Sequence, residues 1–95
     1  MGVCKINLRF PENESLKGKR QIVNSLRSKI RNKFNVSMAE VGGNEAWQVS
    51  TIGITCVGND SRHLNEVIDS VLEYIENSRL DLDVLACEQE ILSGF

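Results

Sequence analysis

The spacing of apolar residues changes along the chain between the period of a strand and the period of a helix. Residues 3–10 and 49–57 alternate between apolar and polar side chains, which predicts two half-buried β-strands. Residues 80–91 begin with the same alternation. Residues 35–41 form a shorter segment of ambiguous register, which a β-bulge would reconcile. The pattern therefore predicts four strands.

Two further segments have apolar residues three and four positions apart, which is the period of an amphipathic helix. The first covers residues 15–34 with Ser15 as its N-cap, and the second follows Asp60 as its N-cap. The apolar stripes are Leu16, Ile22, Val23, Leu26, Ile30 and Phe34 in the first helix, and Leu64, Val67, Ile68, Val71, Leu72 and Ile75 in the second. Each helix therefore has one face that must be covered.

The predicted elements follow one another in the order β-α-β-β-α-β. Placing both helices on one face of a four-stranded antiparallel sheet buries both stripes and makes the first and third strands central. The sequence thus predicts an α/β fold, an α+β sandwich of the ferredoxin-like type. Its length of 95 residues, without repeat or linker, predicts a single domain over residues 1–95.

The basic residues are concentrated in the first helix. Of the 11 Lys and Arg residues, 7 lie between positions 17 and 33, where no acid occurs, although the whole chain has 13 acids and a net charge of −2. Arg20, Asn24, Arg27 and Arg31 recur along one flank of this helix, and Lys17 lies beside them. We refer to Lys17, Arg20, Arg27 and Arg31 as the basic row.

The basic row has two possible partners. Its neighbours one turn apart are spaced by ~5–6 Å, close to the phosphate repeat of a nucleic-acid strand, so several phosphate contacts could form together. Alternatively, the row forms ion pairs with the acidic face of the second helix, and such surface pairs need no functional explanation. The acids of that face are Glu66, Asp69, Glu73 and Glu76.

The outer face of the predicted sheet offers a second set of cations. RNA-recognition domains with this strand order stack bases on aromatic residues of the two central strands, but no aromatic residue occupies the outward positions here. Lys5 and Arg9 remain there as phosphate contacts, or else the face is solvated or self-associating. The candidate nucleic-acid-binding residues are therefore Lys17, Lys19, Arg20, Arg27 and Arg31, with Lys5 and Arg9 as secondary contacts.

The remaining chemistry-bearing residues do not form a recognisable motif. The chain has no catalytic or cofactor-binding motif, so we expect a protein without enzymatic activity or cofactor. Cys4, Cys56 and Cys87 are far apart and His63 is the only histidine, so we expect buried free thiols and no metal site. Trp47 is expected to cover one end of the core rather than form a ligand platform.

Several stretches together resemble the YlxP-like family of small bacterial proteins. They are SLKGKR at residues 15–20, KFNVSMAEV at 33–41, WQ at 47–48 and GNDSRHLNEVID at 58–69. The family pattern usually reads SLKEKR, so Gly18 departs from it. The resemblance implies a ferredoxin-like fold and carries over no catalytic residue. Because members are typically encoded near translation initiation and ribosome-assembly factors, it also implies a role in translation or ribosome biogenesis.

The charge pattern and the resemblance together lead to one leading functional expectation. We expect a non-enzymatic RNA- or ribosome-associated protein whose partner is ribosomal RNA or a ribosomal subunit. The alternative is a protein-interaction module or homodimer that uses the open sheet face or the edge strand at residues 35–41. With neither a signal peptide nor an apolar run long enough to span a bilayer, we expect a cytoplasmic protein without a membrane partner.

Overall fold

Six elements follow one another along the chain in the predicted order. The computed structural model describes residues 1–78 and 81–92. The elements are β1 (Gly2–Arg9), α1 (Leu16–Lys33), β2 (Ser37–Gly42), β3 (Val49–Cys56), α2 (Ser61–Glu76) and β4 (Asp83–Ile91). The four strands are antiparallel and lie in the order β2-β3-β1-β4, so β1 and β3 are central, as predicted. The ferredoxin-like fold is thereby confirmed.

One face of the sheet carries the hydrophobic core. The inward side chains of β1 and β3 are buried there, and both helices contribute the central residues of their predicted stripes to the same cluster. The buried helical residues are Val23, Leu26 and Ile30 of α1 and Leu64, Ile68, Val71 and Ile75 of α2. Both helices therefore cover the same face, and the opposite face of the sheet is left open.

Each edge strand contains a β-bulge. The register between β2 and β3 shifts between Glu40 and Gly42, which is the bulge expected from the ambiguous apolar pattern of that strand. A second shift in β4 leaves Leu85 without a direct partner on β1 and 55% exposed. The predicted fourth strand began at Leu80, which lies outside the described residues, and the described strand begins at Asp83.

Lys19 connects α1 with the hairpin formed by β2 and β3. Its side chain is fully buried, and Nζ lies 3.0 Å from Oε2 of Glu40 on β2. Nζ also donates to the backbone carbonyls of Gly43 at 2.6 Å and of Asn44 and Val49 at 3.3 Å. One ammonium group thus binds four oxygens that come from β2, from β3 and from the connection between them.

The burial of Lys19 corrects its predicted role as a phosphate contact. Lys19 precedes Val23, Leu26 and Ile30 by four, seven and eleven residues, so it lies on the buried side of α1. Because its ammonium group is enclosed by protein oxygens, it is not available to an external phosphate. The prediction for this residue was wrong, and its contacts stabilise the fold instead.

Removal of the Lys19 ammonium group should destabilise the fold strongly. In Lys19→Met, Glu40 loses its cationic partner and three backbone carbonyls lose the hydrogen bond from Lys19. Breaking a buried ion pair in this way typically costs about 3–5 kcal/mol. Urea unfolding followed by circular dichroism measures the change in free energy of unfolding. The matched control is Lys17→Met, two positions away on the exposed surface, which should change that free energy by less than about 0.5 kcal/mol. Equal effects of the two substitutions would contradict the assigned role.

Acid should remove part of the stability through Glu40. Burial raises the pKa of Glu40, but hydrogen bonds from Ser50 and Lys19 and the charges of Lys19 and Arg20 outweigh it and hold the pKa below its ordinary value of 4.5. A carboxyl group with a lowered folded-state pKa stabilises fully above the unfolded value, and this contribution is lost as the pH falls below 4.5. Glu40→Gln should therefore be less stable at neutral pH, and its stability should fall less on acidification. Urea unfolding at a series of pH values measures the free energy of unfolding of both proteins. If that free energy depends on pH in the same way in both, Glu40 does not contribute to the acid sensitivity.

Candidate nucleic-acid interface

The basic row lies on the surface of α1. Lys17, Arg20 and Arg31 are exposed and Arg27 is half-buried. Within residues 1–78 and 81–92 the ion pairs are Arg9 with Asp83 and Lys19 with Glu40, so no member of the row is paired with an acid there. The sequence left open whether the basic row forms ion pairs with the acidic face of α2, and among the described residues it does not.

The position of α2 explains why the row is not neutralised. α1 packs mainly against β2, whereas α2 packs against β4 and β1. The two helices meet where the rings of Phe34 and Tyr74 pack edge to face at 5.9 Å, with Lys33 Nζ 4.9 Å from the Tyr74 ring centroid. The flank of α1 that carries Lys33 therefore faces α2. The basic row lies on the other flank, along the β2 edge of the sheet.

A polar groove lies between this flank of α1 and the start of β2. Its volume is about 370 Å³, and its lining includes both Arg27 and Arg31 but no acidic residue. The lining residues are Arg27, Arg31, Phe34, Asn35, Val36, Ser37 and Met38. Two guanidinium groups together with amide and hydroxyl groups are suited to an anionic ligand. Asn35 and Ser37 were not predicted as site residues, because isolated polar residues after a helix have no distinctive spacing in the sequence.

Asn24 positions one guanidinium group of the row. The Nη2 atom of Arg27 donates a hydrogen bond of 3.0 Å to Oδ1 of Asn24, one turn earlier on the helix. An arginine has five N–H donors, so this bond leaves donors free for a ligand. The polar residue in the middle of the basic row therefore holds one of its members in place.

Lys5 and Arg9 lie on the open face of the sheet, away from the basic row. Arg9 forms an exposed ion pair of 3.0 Å with Asp83 on β4, and Lys5 is opposite Glu88 in the register of the same strand pair. The outward positions of β1 and β3 contain no aromatic residue. The structure thus does not join the two predicted sets of cations into one surface, and each cation on the sheet face lies opposite an acid.

The three cysteines differ in their surroundings. Cys4 and Cys56 are buried as predicted, but Cys87 is exposed, so that part of the prediction was wrong. Cys87 lies opposite the buried Ile6, but it is on the edge strand β4, where the core covers less of the sheet. Burial, together with smaller contributions from Cys87 and Asp69, raises the pKa of the Cys4 thiol to about 11. Cys4 is therefore a weak nucleophile.

Trp47 does not cover the core. Its side chain is 57% exposed, and it is not among the residues packed against the core cluster. Its position is nevertheless fixed through the backbone, since Asn13 Nδ2 donates to the Trp47 carbonyl at 2.5 Å and to the Ser15 carbonyl at 2.6 Å. The expectation for Trp47 was therefore wrong, and the residue presents an aromatic surface to solvent next to the start of α1.

The part of the chain that the structure describes contains neither a cluster of metal-ligating side chains nor a membrane-spanning helix. No three His, Cys, Asp or Glu side chains come close enough together there to hold a metal ion. Neither α1 nor α2 has the length and apolar composition that a bilayer-spanning helix requires.

Comparison with known proteins identifies the family. Residues 1–89 match the family described as "Protein of unknown function (DUF503)". The chain is also 33% identical over 63 residues to the uncharacterized protein YlxP of Bacillus subtilis (strain 168), an alignment that covers 66% of this chain and 68% of YlxP. The chain therefore belongs to the DUF503 family, and the resemblance to YlxP-like proteins is confirmed. Neither description states an activity.

The exposure of the cysteines predicts the reactivity of their thiols. At about pH 8 an aromatic disulfide reagent should modify one thiol of the native protein quickly, because Cys87 is exposed whereas Cys4 and Cys56 are buried. Absorbance of the released chromophore gives the number of reactive thiols, which should rise to three in denaturant. Cys87→Ser should remove the fast phase, whereas persistence of that phase would contradict the assigned exposures.

Proposed function

We propose that this member of the DUF503 family is a non-enzymatic RNA-binding protein that acts in translation or ribosome biogenesis. The observation that carries the proposal is the basic row, which is open to solvent on a molecule whose remaining surface is rich in acids. The row would bind consecutive phosphates of one RNA strand. Ribosomal RNA is the favoured partner class, because YlxP-like proteins are typically encoded near translation initiation and ribosome-assembly factors.

The geometry of the row suits a single strand of phosphates. An α-helix rises by 1.5 Å per residue, so Lys17 and Arg31 are about 21 Å apart along α1. This length accommodates about four phosphates at the ~5–6 Å spacing of successive helical turns. Arg20, Arg27 and Arg31 supply planar guanidinium groups, which can bind phosphate oxygens in bidentate fashion. The groove beside Arg27 and Arg31 would receive one of these phosphates.

The distribution of charge also restricts where RNA can bind. The chain has 13 acids and a net charge of −2, so most of its surface repels a polyanion. Four acids of α2 are exposed, and β4 adds Asp83, Glu88 and Glu90 at the other edge of the sheet. An RNA strand is therefore favoured at the basic row and disfavoured at the β4 edge. This restriction argues against indiscriminate binding of nucleic acid.

Charge reversal in the basic row should abolish most of the binding. If about four phosphates of a single strand are neutralised, the logarithm of the binding constant should fall with the logarithm of salt concentration at a slope of about −3. In Arg27→Glu, Arg31→Glu two of these contacts are lost, so the slope should fall to about half and the affinity should drop strongly at low salt. Fluorescence anisotropy with ribosomal RNA fragments across a salt series measures both quantities.

The matched control changes the net charge equally at another site. Lys29→Glu, Arg62→Glu reverses two exposed cations, one on the opposite flank of α1 and one at the start of α2. This variant should keep a salt slope near −3, because the basic row is intact. Equal affinity of the wild-type protein and the Arg27→Glu, Arg31→Glu variant would refute the proposed function. Equal losses of RNA affinity in the two variants would show that binding depends on net charge and not on the basic row, and would also contradict the proposal.

A further inference from the structure

Trp47 is the most exposed aromatic side chain of the described residues. It is the only tryptophan of the chain and is 57% exposed. Among residues 1–78 and 81–92 the other aromatic side chains are Phe10, which is fully buried, and Phe34 and Tyr74, which pack against each other. Among the described residues, Trp47 is thus the aromatic side chain that is available to a ligand.

The loop that carries Trp47 is attached to α1. Residues 43–48 connect β2 with β3, and Lys19 of α1 binds the carbonyls of Gly43, Asn44 and Val49 in and beside this loop. Asn13 bridges the carbonyls of Trp47 and Ser15, and Ser15 is the N-cap of α1. The loop is therefore fixed to the N-terminal part of the helix on which the basic row begins.

The backbone of Trp47 lies beside the N-terminus of α1, where the basic row begins. Lys17, the first cation of the row, follows the N-cap by two residues, and the Asn13 bridge joins that N-cap to Trp47. Binding of single-stranded nucleic acid without sequence preference commonly combines cations that follow the backbone with an aromatic side chain on which a base stacks. The open sheet face, with no aromatic residue on the outward positions of β1 and β3, does not supply such a side chain.

We infer that Trp47 stacks on an unpaired base of the RNA strand whose phosphates lie on the basic row. This inference rests on the proposed function and deepens it, since it names single-stranded RNA rather than a duplex as the ligand. Every base has a π-face, so the contact tolerates any sequence. The bases of a duplex are stacked on one another and do not offer that face.

The test separates the base contact from the phosphate contacts. One probe is a single-stranded oligoadenylate of about 12 nucleotides, and the other is a chain of the same length in which every position is abasic. Oligoadenylate should quench the fluorescence of Trp47 and bind about tenfold more tightly than the abasic chain, because base–aromatic stacking contributes about that factor. The two probes should have the same salt slope, since their phosphates are identical.

Substitution of Trp47 completes the test. Trp47→Ala should bind the two probes equally and keep the salt slope, while Trp47→Phe should retain part of the preference for oligoadenylate.

If the wild-type protein binds both probes equally, or if Trp47→Ala keeps the preference, the base contact is refuted and the phosphate contacts stand. If the wild-type protein binds neither probe at low salt, the proposed function and this inference fail together. Tighter binding of a duplex than of oligoadenylate would refute stacking on an unpaired base.

Discussion

The buried ammonium group of Lys19 is the interaction on which the arrangement of the surface depends. A buried cation must be surrounded by acceptors, and here the acceptors are Glu40 and the carbonyls of Gly43, Asn44 and Val49. These contacts fix the rotation of α1 about its axis, because the residue at position 19 must point inward. Once this rotation is fixed, the basic row follows on the flank beside β2. The same contacts attach the loop of Trp47 to the helix.

Periodicity alone was sufficient to predict the fold. Strict alternation in β1 and β3 and the stripes of both helices identified the buried residues, since one face of each element had to be covered. Even the bulge in β2 could be expected, because Met38 and Val41 argue for opposite faces of that strand. The first residue of β4 was less predictable, since the alternation of Leu82 and Val84 continues back into the preceding connection.

The surface was harder to predict than the core. The helical wheel places Lys19 with Val23, Leu26 and Ile30, but a long cationic side chain on such a stripe usually reaches solvent. Its acceptors are mostly backbone carbonyls, 24 to 30 residues away in sequence, and these have no side-chain signature. Whether the basic row meets the acids of α2 likewise depends on which flank faces that helix. The structure settles this through the packing of Phe34 on Tyr74, which a one-dimensional pattern does not contain.

The separation of α1 and α2 over opposite edges of the sheet gives the molecule a permanent electric dipole. Its positive end is the flank of α1 beside β2, and its negative end is formed by the acids of α2 and β4. A body with this charge distribution experiences a torque in the field of a polyanion, although its net charge is only −2. If the polyanion is the RNA strand proposed above, the protein would rotate as it diffuses towards the strand, with the cationic flank leading. Collisions that bring the basic row against the strand would then be more frequent than for a randomly oriented particle.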